Sequence, residues 1–291
     1  MMIIRGPLGL GLAAITLLTG ACSKDWETFR HDAFATAHQP NATDLSDPAK
    51  IPNLNIDWQW QMPAITPVSA TGGNANARSF RASPVVDDDR VFIGGGDGIF
   101  RAFDANNGNL LWQFPTATQI SNGSQPPLLA DYVCNPSSKG IASSAAIASI
   151  NGVQAVIFGA PDSTTQFGSG RLFALNAQTG AEIWRSDVVA IVNGLTPGNG
   201  MQLHEQIGYS TPLVYNSSVY VGVANHCDNP IQQGKIRKVS LSTGTLDAGF
   251  DFVGAAGPGG SRALGGGVWT HIATDLNQIL TTTGNIKSGN P

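Results

Sequence analysis

His226-Cys227-Asp228 and His204-Glu205 set metal-ligating and proton-transferring side chains side by side. The first carries the ligand types of a zinc centre. It has a single cysteine and no second cluster to complete a tetrahedral set, so structural zinc is not expected. His204-Glu205 reads as a solvated loop pair, with contact to a ligand as the other reading. His271 sits in a run of strand-forming residues and is expected as a satisfied core or rim histidine. The chain has three cysteines, none in the Cys-x-x-Cys-His arrangement that attaches haem. No reaction follows from these groups alone; what they do depends on the scaffold that gathers them.

That scaffold is written as a repeat. The turn Asp104-Ala105-Asn106-Asn107-Gly108, with Trp112 beyond it, returns as Asn176-Ala177-Gln178-Thr179-Gly180 with Trp184. A third, weaker copy is Ser240-Leu241-Ser242-Thr243-Gly244, where Ala248 takes the Trp position. Upstream of each turn lies a hairpin: Ser83–Val86 with Arg90–Gly94, Ala145–Ile147 with Ala155–Gly159, and Thr211–Tyr215 with Val219–Gly222. A fourth hairpin reads Val268–Ala273 and Gln278–Thr283. The strand ends Gly94, Gly159, Gly222 and Thr282 step by 65, 63 and 60 residues. Apolar, β-branched runs bounded by Asn, Asp, Ser and Gly are hairpin signals. Four strands per repeat, with no long helical period, predict an all-β protein: a β-propeller of four-stranded antiparallel blades. About three and a half blades are present. The turn glycine is expected to take a positive φ, and each outer-strand Trp to wedge against the neighbouring blade, with Ala102 and Ala174 beneath it.

Composition narrows the partners. Only 12% of residues are charged and the net charge is −4, so the basic face that nucleic acid requires is lacking. Arg5 followed by the apolar run Leu8–Leu18 reads as an export signal, too short to span a bilayer stably. Thr19-Gly20-Ala21-Cys22 resembles a bacterial lipoprotein signal, with Cys22 as the lipidated residue; cleavage after Ala21 is the competing reading. The expected organisation is an export signal over 1–21, a lipid-tethered linker or arm over 22–52, and the partial propeller over 53–291. Residues 54–60 look like a single strand, a candidate to complete the last blade of a ring. Cys134 and Cys227 fall on the same rim of such a ring, and whether they pair stays open.

The phrase Ala-x-Asp/Asn-Ala-x-Thr-Gly-x-x-x-Trp resembles the tryptophan-docking repeat of pyrroloquinoline quinone (PQQ) dehydrogenase-type propellers. Residues 26–38 resemble the opening segment of bacterial members. Gly265-Gly266-Gly267-Val268-Trp269, Asp275 and Thr283-Gly284-Asn285 are similar to the glycine-rich block of the quinoprotein alcohol dehydrogenases. The resemblance implies a complete ring of eight blades, oxidising an alcohol with PQQ and Ca²⁺ and passing electrons to a periplasmic acceptor. It places Trp269 as the floor under the quinone and Asn285 as a Ca²⁺ ligand.

Departures accompany it. The family's metal-ligating Glu is absent from Gly159–Gln166, where Asp162 is the carboxylate available to replace it. The adjacent-cysteine ring near the quinone is absent too, and the catalytic Asp is expected in later blades. This sequence is therefore expected to be the N-terminal part of a longer protein, with little dehydrogenase activity by itself. The alternative is a non-enzymatic propeller lipoprotein that binds protein partners, as in outer-membrane protein assembly.

Overall fold

The three turn phrases become three four-stranded antiparallel sheets. The computed structural model describes residues 25–37, 48–49, 52, 55–63, 79–131, 138–162, 169–186, 207, 209–224, 234–253 and 266–284. Cys22, Cys134, His204, Glu205, His226, Cys227 and Asn285 lie outside them. The first sheet runs β1 (Val85–Asp87), β2 (Arg90–Gly94), β3 (Phe100–Asp104) and β4 (Leu110–Phe114) in order. A five-residue helix α1 (Ala117–Ser121), closed by a Thr116/Gln119 capping box, and a short hairpin β5 (Ala130–Asp131) and β6 (Ser138–Lys139) follow. The second sheet is β7 (Ala146–Ile150), β8 (Val153–Asp162), β9 (Ser169–Asn176) and β10 (Glu182–Arg185). The third is β11 (Leu213–Tyr215), β12 (Ser218–Val223), β13 (Lys235–Ser240) and β14 (Leu246–Val253). A two-stranded piece, β15 (Ala273–Thr274) and β16 (Ile279–Leu280), begins the fourth repeat. Among the described residues no helix is long and apolar enough to cross a membrane.

Local chemistry sets the hairpins. Asp88-Asp89, Asn151-Gly152 and Asn216-Ser217 each place two residues at positive φ between paired strands, the geometry whose twist matches a tight hairpin. Short polar side chains tolerate that region best after glycine. The glycine-closed turns behave alike. Gly108, Gly180 and Gly244 have φ of 74°, 72° and 70°. Their amides donate to the carbonyls of Asp104, Asn176 and Ser240 at 2.8–2.9 Å. The Asp104 and Asn176 side chains cap the corners by accepting from the amides of Asn106 and Gln178 at 2.8 Å.

Each turn receives a tryptophan from the sheet before it. Trp112 Nε1 donates to Ala177 O at 3.0 Å and Trp184 Nε1 to Leu241 O at 3.0 Å. Ala102 and Ala174 lie opposite these tryptophans in the ladder and are fully buried. A third instance comes from the extended segment 55–63: Trp58 Nε1 donates to Ala105 O at 2.8 Å. Trp60 packs on Phe103 and covers the Arg101 guanidinium at 4.9 Å. Segment 55–63 thus takes the outer-strand position of a blade preceding the first sheet. The parallel between Trp58-Gln59-Trp60 and Trp112-Gln113-Phe114 is its trace in the sequence.

The core is divided by the sheets. Along β8, Val156, Phe158 and Ala160 face the first sheet, while Ala155 and Ile157 face the third. This is the two-residue period of a strand buried on both faces. Phe100 and Phe158 stack at 3.9 Å across the first interface. Leu213, Tyr220, Ile236, Val268 and Ile272 form the third cluster, against the fourth repeat. Gly94 at the end of β2 and Gly159 within β8 sit where a Cβ would lie 2.3 and 2.5 Å from the side chains of Ile141 and Ile207, residues leading into the next sheet.

The fourth hairpin is shorter than expected. Among the described residues only Ala273↔Leu280 and Thr274↔Ile279 pair. The Val268 amide is taken by Val223 O of β12, and the Thr274 amide by Ala33 O of the N-terminal arm. Val268 is thus committed to β12, while Thr270 keeps to its own hairpin through side-chain hydrogen bonds with Thr281 and Thr282.

Two glycine substitutions separate strain from docking. At Gly152, φ is +82° and nothing lies within 4 Å of an added Cβ, so Gly152→Ala should cost only the left-handed strain, roughly 1–2 kcal/mol. At Gly180 the Cβ would lie 2.7 Å from the Trp112 ring, so Gly180→Ala should cost roughly 1–3 kcal/mol more. Urea midpoints read the difference; equal losses would contradict the docking contact.

Candidate functional site

Trp269 is held by backbone on two sides. Val268, buried, donates its amide to Val223 O at 3.1 Å, and Gly284 donates to Gly267 O at 2.9 Å. Gly266 has φ 70°, and Gly267 sits so close to Ala224 that a Cβ would lie 2.8 Å from that methyl. The glycines let the chain turn tightly here and bring Gly284 beside the indole, where a Cβ would approach Nε1 to 3.1 Å. The Trp269 side chain nevertheless remains open, 51% exposed. An exposed, backbone-braced indole is a stacking surface for a flat conjugated ligand.

Asp162 closes β8 in the second repeat, away from Trp269 in sequence and in sheet. Its carboxylate is buried and ion-paired with the Arg171 guanidinium across the β8–β9 ladder. Arg101 and Asp97 form a comparable buried pair in the first sheet. A divalent cation needs a carboxylate with charge to give, and at Asp162 a guanidinium already compensates it.

A second grouping was not legible in the sequence. Residues 25–37 form an arm across the first strands of the sheets. Trp26 and Val86 exchange backbone hydrogen bonds at 2.7 and 2.9 Å, the Ile147 amide donates to Glu27 O at 2.8 Å, and the Thr274 amide donates to Ala33 O. Beneath the arm lies a cavity of about 520 Å³ between Glu27, Thr28 and His31 on one side and Ala146–Ser149 and Pro212–Val214 on the other. At one end, carboxylate oxygens of Asp25, Glu27 and Asp87 lie within 4.8 Å of one another. Burial raises the Glu27 pKa, and the Asp87 and Asp25 charges raise it further. Burial also raises that of Asp87, opposed by the hydrogen bond from Gln154 Nε2 at 3.0 Å. Farther along the arm, His271 differs from the expected satisfied histidine. Both ring nitrogens are buried and have no hydrogen-bond partner among the described residues, and the Phe29 ring of the arm lies 5.6 Å away. The arm's lack of periodicity hid this: it binds through backbone groups, which leave no side-chain pattern.

The family described as glucose/ethanol/alcohol dehydrogenase, beta-propeller domain (PQQ) matches residues 26–281. No curated protein sequence matches the chain. Among solved structures, quinohemoprotein alcohol dehydrogenase from Comamonas testosteroni is 20% identical with a TM-score of 0.55, over 90% of this chain and 35% of that one. Quinohemoprotein alcohol dehydrogenase ADHIIG from Pseudomonas putida HK5 is 21% identical, TM-score 0.44, over 71% and 28%. BamB from Moraxella catarrhalis is 13% identical, TM-score 0.30, over 69% and 66%. Of these three, the Comamonas structure alone is close enough to bear on the fold. The chain spans about a third of that structure's length.

The raised Glu27 pKa carries a sign that can be checked. Its stabilising contribution is complete below the ordinary value of 4.5 and is lost as pH rises through the raised, docked-state value. Glu27→Gln should therefore tighten the arm at pH 7 and leave it unchanged near pH 4. Amide protection of Ile147, which donates to Glu27 O, reads this directly; equal effects at both pH values would contradict it.

Proposed function

The chain belongs to the glucose/ethanol/alcohol dehydrogenase PQQ β-propeller family, and on that premise we propose that it is the N-terminal propeller portion of an exported quinoprotein that oxidises an alcohol. The observation that carries the proposal is Trp269. Its exposed, glycine-flanked indole fits a planar quinone laid against it. When bound, PQQ accepts the reducing equivalents of the alcohol. Trp269 orients the ring plane, and the Val223–Val268 and Gly267–Gly284 backbone bonds fix the main chain from which the indole projects.

Calcium is proposed with less from the chain itself. Asn285 is its ligand by resemblance, and Asp162 could join only with its pair to Arg171 opened. In this proposal the chain is exported to the periplasm and anchored through Cys22. Its electrons pass to an acceptor there.

The compensated Asp162 favours a second reading: a propeller that binds protein partners without a metal or a quinone. Titration of the complete protein with PQQ, followed by tryptophan quenching and quinone absorbance, separates the two. The enzyme reading expects saturable uptake, weakened about tenfold in Trp269→Ala and largely kept in Trp269→Phe. Absence of uptake with and without Ca²⁺ supports the scaffold.

A further inference from the structure

His271 lies one residue before the Thr270-to-β15 connection ends, at the place where the N-terminal arm crosses the fourth repeat. Its two ring nitrogens are shut from solvent and meet no donor or acceptor among the described residues. A neutral imidazole tolerates that poorly, and an imidazolium, with two N–H donors and a charge, tolerates it far less. The cover over the ring is the arm itself. Phe29 packs tilted against it, and Ala33 O pins the chain by accepting from the Thr274 amide at 3.0 Å.

We propose that residues 29–33 are an acid-released strap: protonation of His271 lifts this end of the arm and opens the cavity that the arm covers.

The charges around the ring set the direction. Burial, and then the Arg30 cation, hold the His271 pKa down at about 4, while Asp32 opposes them. Docking is therefore fully supported above the ordinary value of 6.5 and is lost as pH falls towards the docked-state value. Asp32 does not confuse the response. Despite its own desolvation, donors from Thr36 keep its pKa below the usual carboxylate value, so it stays ionised through the transition. His31 lies on the same arm, with Nδ1 3.4 Å from Asp32 Oδ2. At the other end of the arm, Glu27 with Asp25 and Asp87 works in the opposite sense, gripping more firmly as pH falls. Acid should thus free the Phe29–Ala33 end while the Trp26–Glu27 end holds.

Hydrogen exchange on the full chain distinguishes the ends, because Thr274 and Ile147 each donate to a different part of the arm. After correction for intrinsic exchange, Thr274 protection should fall on the order of 20-fold between pH 7 and pH 5. Ile147 protection should hold or rise over the same range. In His271→Phe, and independently in His271→Gln, the Thr274 response should vanish, since neither side chain can take the proton. A flat Thr274 response in the unaltered protein, or the same fall in both variants, overturns the proposal.

Discussion

Each four-stranded sheet in this protein has two apolar faces, and neither can be left to water. β8 shows the constraint plainly: successive residues turn to opposite sides, and both sides are buried. Such a sheet has to be sandwiched between two others, and the same requirement then passes to its neighbours. A radial array meets it repeatedly with one unit of structure. The turn–tryptophan contact is how the array keeps register. An indole from an outer strand or the extended segment 55–63 lies on the glycine of the next corner and donates to a backbone carbonyl there, three times among the described residues. The glycine has two duties at that point, a left-handed backbone and the absence of a Cβ under the ring.

The arm supplies a second set of links where the first strands meet. The docked tryptophans fasten successive sheets at their outer strands, whereas Trp26, Glu27 and Ala33 fasten the first strands through backbone bonds. The two sets differ in chemistry. Indole contacts carry no titratable group, while the arm is flanked by carboxylates at one end and, at the other, by an imidazole whose ring nitrogens are buried. The glycine-rich bend that carries Trp269 lies beside this second set, in the repeat that the arm reaches last. It bonds β12 through the Val268 amide and its own hairpin through Gly267 and Gly284, and the Trp269 face stays open.

Much of this was legible in the residues. The repeat interval, the hairpin corners and the glycine-closed turns carry their own geometry, so the sheets follow from local chemistry. Trp58 was legible only in part, because no turn phrase precedes it and its docking partner lies in the following sheet. Asp162 could be read as a free carboxylate because its partner, Arg171, is separated from it by a loop that hides the cross-strand relation. His271 could not be read correctly at all: its burial depends on Phe29, brought back from the other end of the sequence. Long-range backbone contacts leave no periodicity, and the arm is made of them.

Nuclear Overhauser contacts from the indole N–H groups of Trp58, Trp112 and Trp184 test the arrangement most directly. The radial array predicts that each sees the corner of the following sheet, at Gly108, Gly180 and Gly244 respectively. Contacts to the corner of its own sheet, or to strands of a facing layer, would contradict it.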